Sequence, residues 1–177
     1  MKIKYQSILI REALLKDANK LTHWWNDGKV MSHAGFPNGL NTTIEKVIAQ
    51  IKNNGINKHY LYIIEIDNVL VGEMNYKDCG NNIAEIGIKI CEVEYQNKGY
   101  GTIIMKLFIN ELFIKLNFSK IILDTSIENS RANYFYQNKL GFKITNVVKN
   151  GWCNCSTKET CDLVEYELEF DDFMKFK

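Results

Sequence analysis

The residues with the clearest chemical potential form a glycine-containing loop ahead of a strongly apolar segment. The loop reads Tyr95-Gln96-Asn97-Lys98-Gly99-Tyr100-Gly101-Thr102. Two glycines let the backbone turn sharply and approach a ligand closely. The N–H groups of such a loop and of the first helical turn have no partner within the helix, and with the helix dipole they attract an anion. The spacing therefore predicts a phosphate or pyrophosphate site, with Lys98 as an additional positive charge.

Two familiar phosphate-binding loops do not fit this stretch. A dinucleotide-binding turn needs a third glycine at position 104, where the chain has Ile104. A Walker loop needs Gly-Lys-Ser/Thr at the end of a six-residue run, and the sequence has no such run. An ordinary strand-to-helix turn remains the alternative to an anion site.

A second segment, between Glu128 and Phe142, narrows the interpretation. It carries, in order, Asn129, Ala132, Tyr136 and the pair Gly141-Phe142. Together the two segments resemble the GNAT acetyltransferase superfamily, whose acyl-CoA loop has the pattern Gln/Arg-x-x-Gly-x-Gly/Ala. The stretches Trp24-Trp25-Asn26-Asp27 and Ala84-Glu85-Ile86-Gly87 are similar to the RimJ/RimL branch. That branch often has Ser where this chain has Ala132, which shifts the expected proton donor to Tyr136.

The resemblance implies direct acetyl transfer from acetyl-CoA to a primary amine, in a ternary complex and without a covalent enzyme intermediate. The pyrophosphate would lie on the main-chain amides of the loop. The pantetheine arm would pair with the exposed backbone of the strand 83–91, and an N–H near Ile88 would polarise the thioester carbonyl. The expected CoA-binding residues are Ile88, Ile90, Gln96, Asn97, Lys98, Gly99, Tyr100, Gly101, Thr102, Asn129 and Lys139.

The catalytic residues are expected to handle two protons. By the family pattern, the Tyr136 hydroxyl would protonate the departing thiolate, although the side chain also suits a core aromatic position. Glu85 would take the proton of the amine through water, with Glu73 as the second candidate and bulk water as a third. Asn129 could equally cap a helix, and Lys139 could equally be a surface side chain.

The acceptor side is less well defined by the sequence. Trp24 and Phe36 are expected to form part of its wall, with simple packing as the alternative for Trp24. The resemblance implies that the acceptor is a peptide or protein N-terminus or a small amine. The alternatives are an acetyltransferase of aminoglycosides or other small amines, and a catalytically silent CoA-binding sensor or scaffold.

Hydrophobic periodicity and turn signals predict the elements that position these residues. Strands are predicted over 8–11, 60–66, 69–76, 83–91, 120–125, 142–148 and 163–170, and helices over 14–25, 42–51, 102–116 and 130–140. Thr42 and Glu45 predict a capping box at the second helix. This order of elements predicts a mixed sheet of about seven strands with helices on both faces, and the resemblance implies that it is an α/β (α+β) GNAT fold with splayed central parallel strands. A single N-acetyltransferase domain over residues 1–177 is expected.

The amino-acid composition and net charge indicate which classes of partner to expect. The 177 residues are 46% hydrophobic with a net charge of +1, which gives no reason to expect nucleic-acid or membrane binding. The first residues lack the apolar core of a signal peptide, so a cytoplasmic location is expected. The protein is expected to be a monomer or a homodimer. Cys153, Cys155 and Cys161 cluster, but the histidines lie far upstream. We therefore expect reduced thiols and no metal.

Overall fold

The computed structural model describes residues 1–153 and 159–176. Its eight strands form one open sheet in the order β1-β2-β3-β4-β5-β6-β8-β7. The strands are β1 (Lys2–Tyr5), β2 (Ile8–Glu12), β3 (His59–Ile66), β4 (Val69–Asp78), β5 (Ile83–Ile90), β6 (Lys120–Ser126), β7 (Lys143–Cys153) and β8 (Thr160–Glu169). The α-helices are α1 (Ala18–Asn26), α2 (Gly28–Met31), α3 (Ile44–Lys52), α4 (Tyr100–Ile114), α5 (Ser130–Tyr134) and α6 (Phe170–Phe176).

The sheet is mixed, as expected. Strands β1 to β4 pair antiparallel in chain order, and β8 pairs antiparallel with both β6 and β7. Strands β5 and β6 pair in parallel, and their ladder begins at Ile83 with Lys120 and ends at Glu85 with Ile122. The paired stretch is shorter than either strand, since β5 runs on to Ile90 and β6 to Ser126.

By packing, the chain forms two compact units, residues 1–78 with 87–104 and residues 79–86 with 105–177. In the first unit, α1 and α3 contribute Trp24, Trp25 and Val47 to a buried cluster with Leu61 and Ile63 of β3. Both helices are amphipathic, and their apolar stripes are buried against the sheet.

The second unit has its own aromatic core. Phe113 of α4 packs edge-on against Phe170, with ring centroids 5.7 Å apart, and lies 5.6 Å from Phe173. Tyr166 and Leu168 of β8 are fully buried in the same unit. This core fastens α6 to α4.

Several elements differ from the sequence prediction. Strand β1 was not predicted, because a short, mostly exposed Lys-Ile-Lys-Tyr strand carries little hydrophobic pattern. The N-cap of α3 is Thr43, not Thr42, and its hydroxyl accepts from the Lys46 N–H. The helix predicted over 130–140 becomes a π-helix at Phe135–Lys139. The short helices α2 and α6 were also not anticipated.

Within residues 1–153 and 159–176, no helix combines the length and the apolar character that crossing a bilayer needs. Cys155 lies outside the described residues, so the interpretation of the cysteine cluster stays a prediction.

Candidate active site

The glycine loop belongs to the first unit and joins β5 to α4. Asn97 and Gly99 both have positive φ, at 58° and 83°, which turns successive N–H groups toward the same side. The amides of Thr102 and Ile103 both donate to the Gly99 carbonyl. Among the described residues, the five main-chain N–H groups from 97 to 101 donate to no acceptor. A run of unpartnered donors ahead of a fifteen-residue helix can bind an anion.

Side chains of the first unit fasten the start of this loop. Gln96 Nε2 donates to the Ile90 carbonyl at 2.8 Å, which ties the loop to the end of β5. Glu92 accepts from the Trp24 indole N–H at 2.8 Å and pairs with Lys20 at 2.6 Å. The hydrogen bond from Lys20 outweighs the effect of burial and, with a weaker contribution from the Trp24 hydrogen bond, holds the pKa of Glu92 below its usual value. The loop is therefore held at both β5 and α1.

Tyr136 belongs to the second unit and lies in the π-helix. Its half-buried ring contacts Phe135, Phe142 and Tyr166, with centroids 5.4, 5.9 and 5.9 Å away. In the part of the chain that the structure describes, its hydroxyl has no hydrogen-bond partner. Every fully buried side-chain nitrogen or oxygen among the described residues has a hydrogen-bond partner. Because the Tyr136 hydroxyl has none, it must be in contact with solvent. An apolar body with an open polar tip suits a proton donor to a ligand.

One face of the sheet in the second unit carries Lys120 with its partners Glu167 and Glu169, and three further carboxylates beside them. Asp124 of β6 stands directly opposite Glu165 of β8, and Glu85 of β5 is paired with Ile122, two residues before Asp124. None of the three carboxylates forms an ion pair with a described residue. Like charges opposite each other are unfavourable without a cation. This face therefore favours a positively charged ligand.

The charges of this face alter two nearby titrations. Burial, then the charges of Glu85 and Glu165, raises the pKa of Asp124. Burial, followed by the charge of Asp124 and by Tyr166, raises the pKa of Tyr136 to about 12. The hydroxyl of Tyr136 thus lies within the electrostatic reach of the carboxylate face and stays protonated at neutral pH.

Glu73, the second candidate for the base, is placed differently. It is 3% exposed in the first unit, and its Oε1 accepts from Lys89 at 2.9 Å and from the Trp25 indole N–H at 3.0 Å. Burial alone would lower the pKa of Lys89, but Glu73 outweighs it and the pKa is raised. The carboxylate of Glu73 is thus engaged by a cation and an N–H, whereas that of Glu85 receives only a weak contact from the Cys79 thiol at 3.9 Å among the described residues.

The remaining sequence candidates have mixed surroundings. Asn129 caps α5, accepting from the Ala132 N–H at 3.1 Å, and Lys139 is exposed with its Nζ 5.8 Å from the Tyr134 ring. Trp24 is 1% exposed, which favours the packing role that the sequence left open. Phe36 is half-buried against the core of the first unit. Ligand contacts of all these residues stay predictions.

Sequence reasoning missed Asp124, Glu165 and Tyr166. Asp124 and Glu165 read as ordinary outward positions on separate strands, 41 positions apart in the printed sequence. Their juxtaposition depends on β8 lying beside β6, which no local pattern encodes.

Comparison with known proteins identifies the family. A model of the acetyltransferase (GNAT) domain matches residues 7–143, which is most of the chain. The chain belongs to the GNAT acetyltransferase family. It is therefore an acyltransferase, and the expectations of fold and enzyme class from the sequence are confirmed.

Relatives and solved structures agree with this assignment. The enzyme is 29% identical over 145 residues to the uncharacterized N-acetyltransferase YnaD of Bacillus subtilis, covering 81% of this chain and 83% of that protein. It is 36% identical over 104 residues to an uncharacterized N-acetyltransferase of Acanthamoeba polyphaga mimivirus, covering 56% of this chain but only 24% of that longer protein.

Two solved structures illustrate the fold. Spermidine N-acetyltransferase of Vibrio cholerae, in complex with CoA and spermine, aligns with a TM-score of 0.82 at 18% identity, over 96% of this chain and 99% of that chain. RimL, a ribosomal L7/L12 alpha-N-protein acetyltransferase in complex with CoA, aligns with a TM-score of 0.81 at 13% identity, over 97% and 99%. These likenesses concern the fold.

Proposed function

We propose that this GNAT enzyme transfers the acetyl group of acetyl-CoA directly to a primary amine, with residues 1–177 acting as one N-acetyltransferase domain. The observation that carries the proposal is the run of five main-chain N–H groups from 97 to 101 that donate to no described acceptor. Such a cradle matches the two phosphates of a pyrophosphate, and CoA carries one. The family and the CoA bound to both structural neighbours support the same cofactor.

The carboxylate face supports an amine as the acceptor. An alkylamine carries a positive charge at neutral pH, since its pKa is about 8 to 10.4. Glu85, Asp124 and Glu165 offer it three negative charges that no described cation neutralises. The same surplus favours an acceptor with more than one positive charge, such as a polyamine or an aminoglycoside, over a peptide N-terminus with a single charge.

Each proposed catalytic residue has one task. The loop amides hold the phosphates, and acetyl-CoA supplies an activated thioester when bound. Glu85 accepts the ammonium proton through water, so that the free amine can form the new C–N bond while the C–S bond breaks. Tyr136 donates its proton to the departing sulfur and is reprotonated, through water, by the second proton that the nitrogen loses on becoming an amide. The charge of Asp124 is one of the causes that raise the pKa of Tyr136, after burial. An ammonium ion bound beside Asp124 offsets part of that charge, so the pKa of Tyr136 moves closer to the pKa of the thiol that it protonates.

The test is acetyl-CoA-dependent thiol release with three acceptors: spermidine, kanamycin and a serine-initiated peptide with no other positive charge. Mass spectrometry identifies the acetylated product. We expect release with at least one amine and the highest kcat/KM for the multiply charged acceptors. Release with the peptide alone would favour the RimJ/RimL-like assignment to a protein N-terminus. CoA binding by calorimetry without turnover on any amine would contradict the proposal and favour a silent CoA-binding protein.

A matched pair of variants tests the carboxylate face. Asp124→Asn removes one unpaired charge, whereas Glu94→Gln removes an exposed charge outside the face. We expect Asp124→Asn to raise the KM for spermidine several-fold with little change in the KM for acetyl-CoA, and Glu94→Gln to change neither. Equal effects of the two substitutions would contradict the proposed role of this face.

A further inference from the structure

A closed hydrogen-bond ring lies beneath the turn that carries Tyr136, entirely within the second unit. The Tyr166 hydroxyl donates to Asn133 Oδ1 at 2.7 Å and accepts from Gln137 Nε2 at 3.1 Å. Gln137 Nε2 also lies 3.2 Å from the main-chain carbonyl of Asn133. Tyr166 is 1% exposed, so both of its hydrogen bonds are shielded from water.

The ring is anchored to two strands. Tyr166 belongs to β8, and Asn133 Nδ2 donates to the carbonyls of Ser126, the last residue of β6, and of Ile127, which follows it. The turn between Asn133 and Gln137 is therefore fastened at both ends, and Tyr136 lies inside it.

Tyr136 depends on this frame, because its own hydroxyl has no partner among the described residues. Only ring packing and the backbone of the turn fix where that hydroxyl points. The backbone there is a π-helix, a wider turn than an α-helix that proteins mostly use as a local distortion at functional sites. The side-chain bonds of Asn133 and Gln137 therefore fasten this turn beyond its own backbone.

We propose that Tyr166 is a positioning residue, which acts through Asn133 and Gln137 to hold the hydroxyl of Tyr136 in its reactive orientation. The inference rests on the proposed function, since it requires Tyr136 to be the proton donor. Tyr166 does not touch substrate in this role. It fixes the turn, and the precision of the turn sets the catalytic rate.

The test is a double-mutant cycle between Tyr166→Phe and Tyr136→Phe, assayed with acetyl-CoA and spermidine or, if turnover is higher, another amine of the panel. Tyr166→Phe keeps the ring that packs 5.9 Å from Tyr136 but removes both hydrogen bonds. We expect kcat to fall on the order of 10-fold, because small misplacements of a catalytic group are costly, with the KM for acetyl-CoA nearly unchanged. In the Tyr136→Phe background, Tyr166→Phe should lower kcat no further.

The matched control is Tyr62→Phe, in the core of the first unit. Tyr62 is equally buried and its hydroxyl shares a hydrogen bond with Tyr76, so its loss should cost stability without lowering kcat. If Tyr166→Phe does not fold, Gln137→Met serves as a second variant. It removes the side-chain amide at a half-buried position and with it the hydrogen bond to Tyr166.

The outcomes separate the two proposals. If Tyr136→Phe lowers kcat and the two losses multiply, or if neither Tyr166→Phe nor Gln137→Met lowers kcat, the positioning role is overturned and the proposed function stands. If Tyr136→Phe leaves kcat unchanged, its assignment as proton donor fails, and the positioning role fails with it.

Discussion

Replacing Tyr136 by phenylalanine should lower kcat while leaving the free energy of unfolding nearly unchanged. The substitution removes one oxygen atom, and that oxygen has no hydrogen-bond partner among the described residues. The ring contacts with Phe135, Phe142 and Tyr166 stay in place. No buried donor or acceptor is left unsatisfied, so the free energy of unfolding should change by no more than about 0.5 kcal/mol.

The catalytic effect should be much larger than the effect on stability. Loss of a positioned general acid typically costs ~10²–10⁴-fold, and the lower end applies here because water can reach the open hydroxyl position. A hundredfold fall in kcat corresponds to about 2.7 kcal/mol of transition-state stabilisation. Because the raised pKa of about 12 keeps Tyr136 protonated, the ratio of wild-type to variant kcat should stay constant from pH 7 to pH 10.

The assay is thiol release under saturating acetyl-CoA, combined with urea denaturation of each variant. Tyr134→Phe serves as the control, since it makes the same substitution two residues away on a side chain that is 57% exposed. Unchanged turnover in Tyr136→Phe would refute its role as proton donor. A loss of stability as large as the loss of transition-state energy would show that the hydroxyl is structural.

Three further predictions concern other parts of the chain. Glu73→Gln leaves Lys89 without its counter-charge and should lower the unfolding free energy by about 1–3 kcal/mol in urea titrations, and an unchanged midpoint would refute the importance of this pair. Gly101→Glu should abolish CoA binding in calorimetry while circular dichroism shows a folded protein. Gly101→Gln, of similar bulk but uncharged, should retain measurable binding. Equal binding by both variants would show that the phosphates do not bind at this loop. For Asp17, burial works to raise the pKa, but the hydrogen bonds from Arg11 and the Leu14 N–H outweigh it and the pKa is lowered. Its contribution to stability is therefore complete above the ordinary pKa near 4 and is lost as the pH falls through the lower folded value, so Asp17→Asn should flatten the fall in urea midpoint between pH 5 and pH 2.5.

Elements with strong local signals could be predicted from the amino-acid sequence. The loop 95–102 precedes a long helix, and the Asp67-Asn68 hairpin forms with both residues at positive φ. The alternation of Ala84 and Ile86 with Glu85 placed a polar face on β5. These features depend on backbone conformations and side-chain spacings within a few residues, so a local pattern is sufficient to predict them.

Which polar groups meet depends on the three-dimensional fold. Trp24 and Trp25 are adjacent, yet their indole N–H groups reach Glu92 and Glu73 on different elements. Tyr166 has the pattern of an ordinary strand residue, but β8 lies beside β6 and carries its hydroxyl to the turn that holds Tyr136. Strand order and register are set by the burial of the whole sheet, and a residue's partners across the sheet are therefore invisible in its own neighbourhood of the chain.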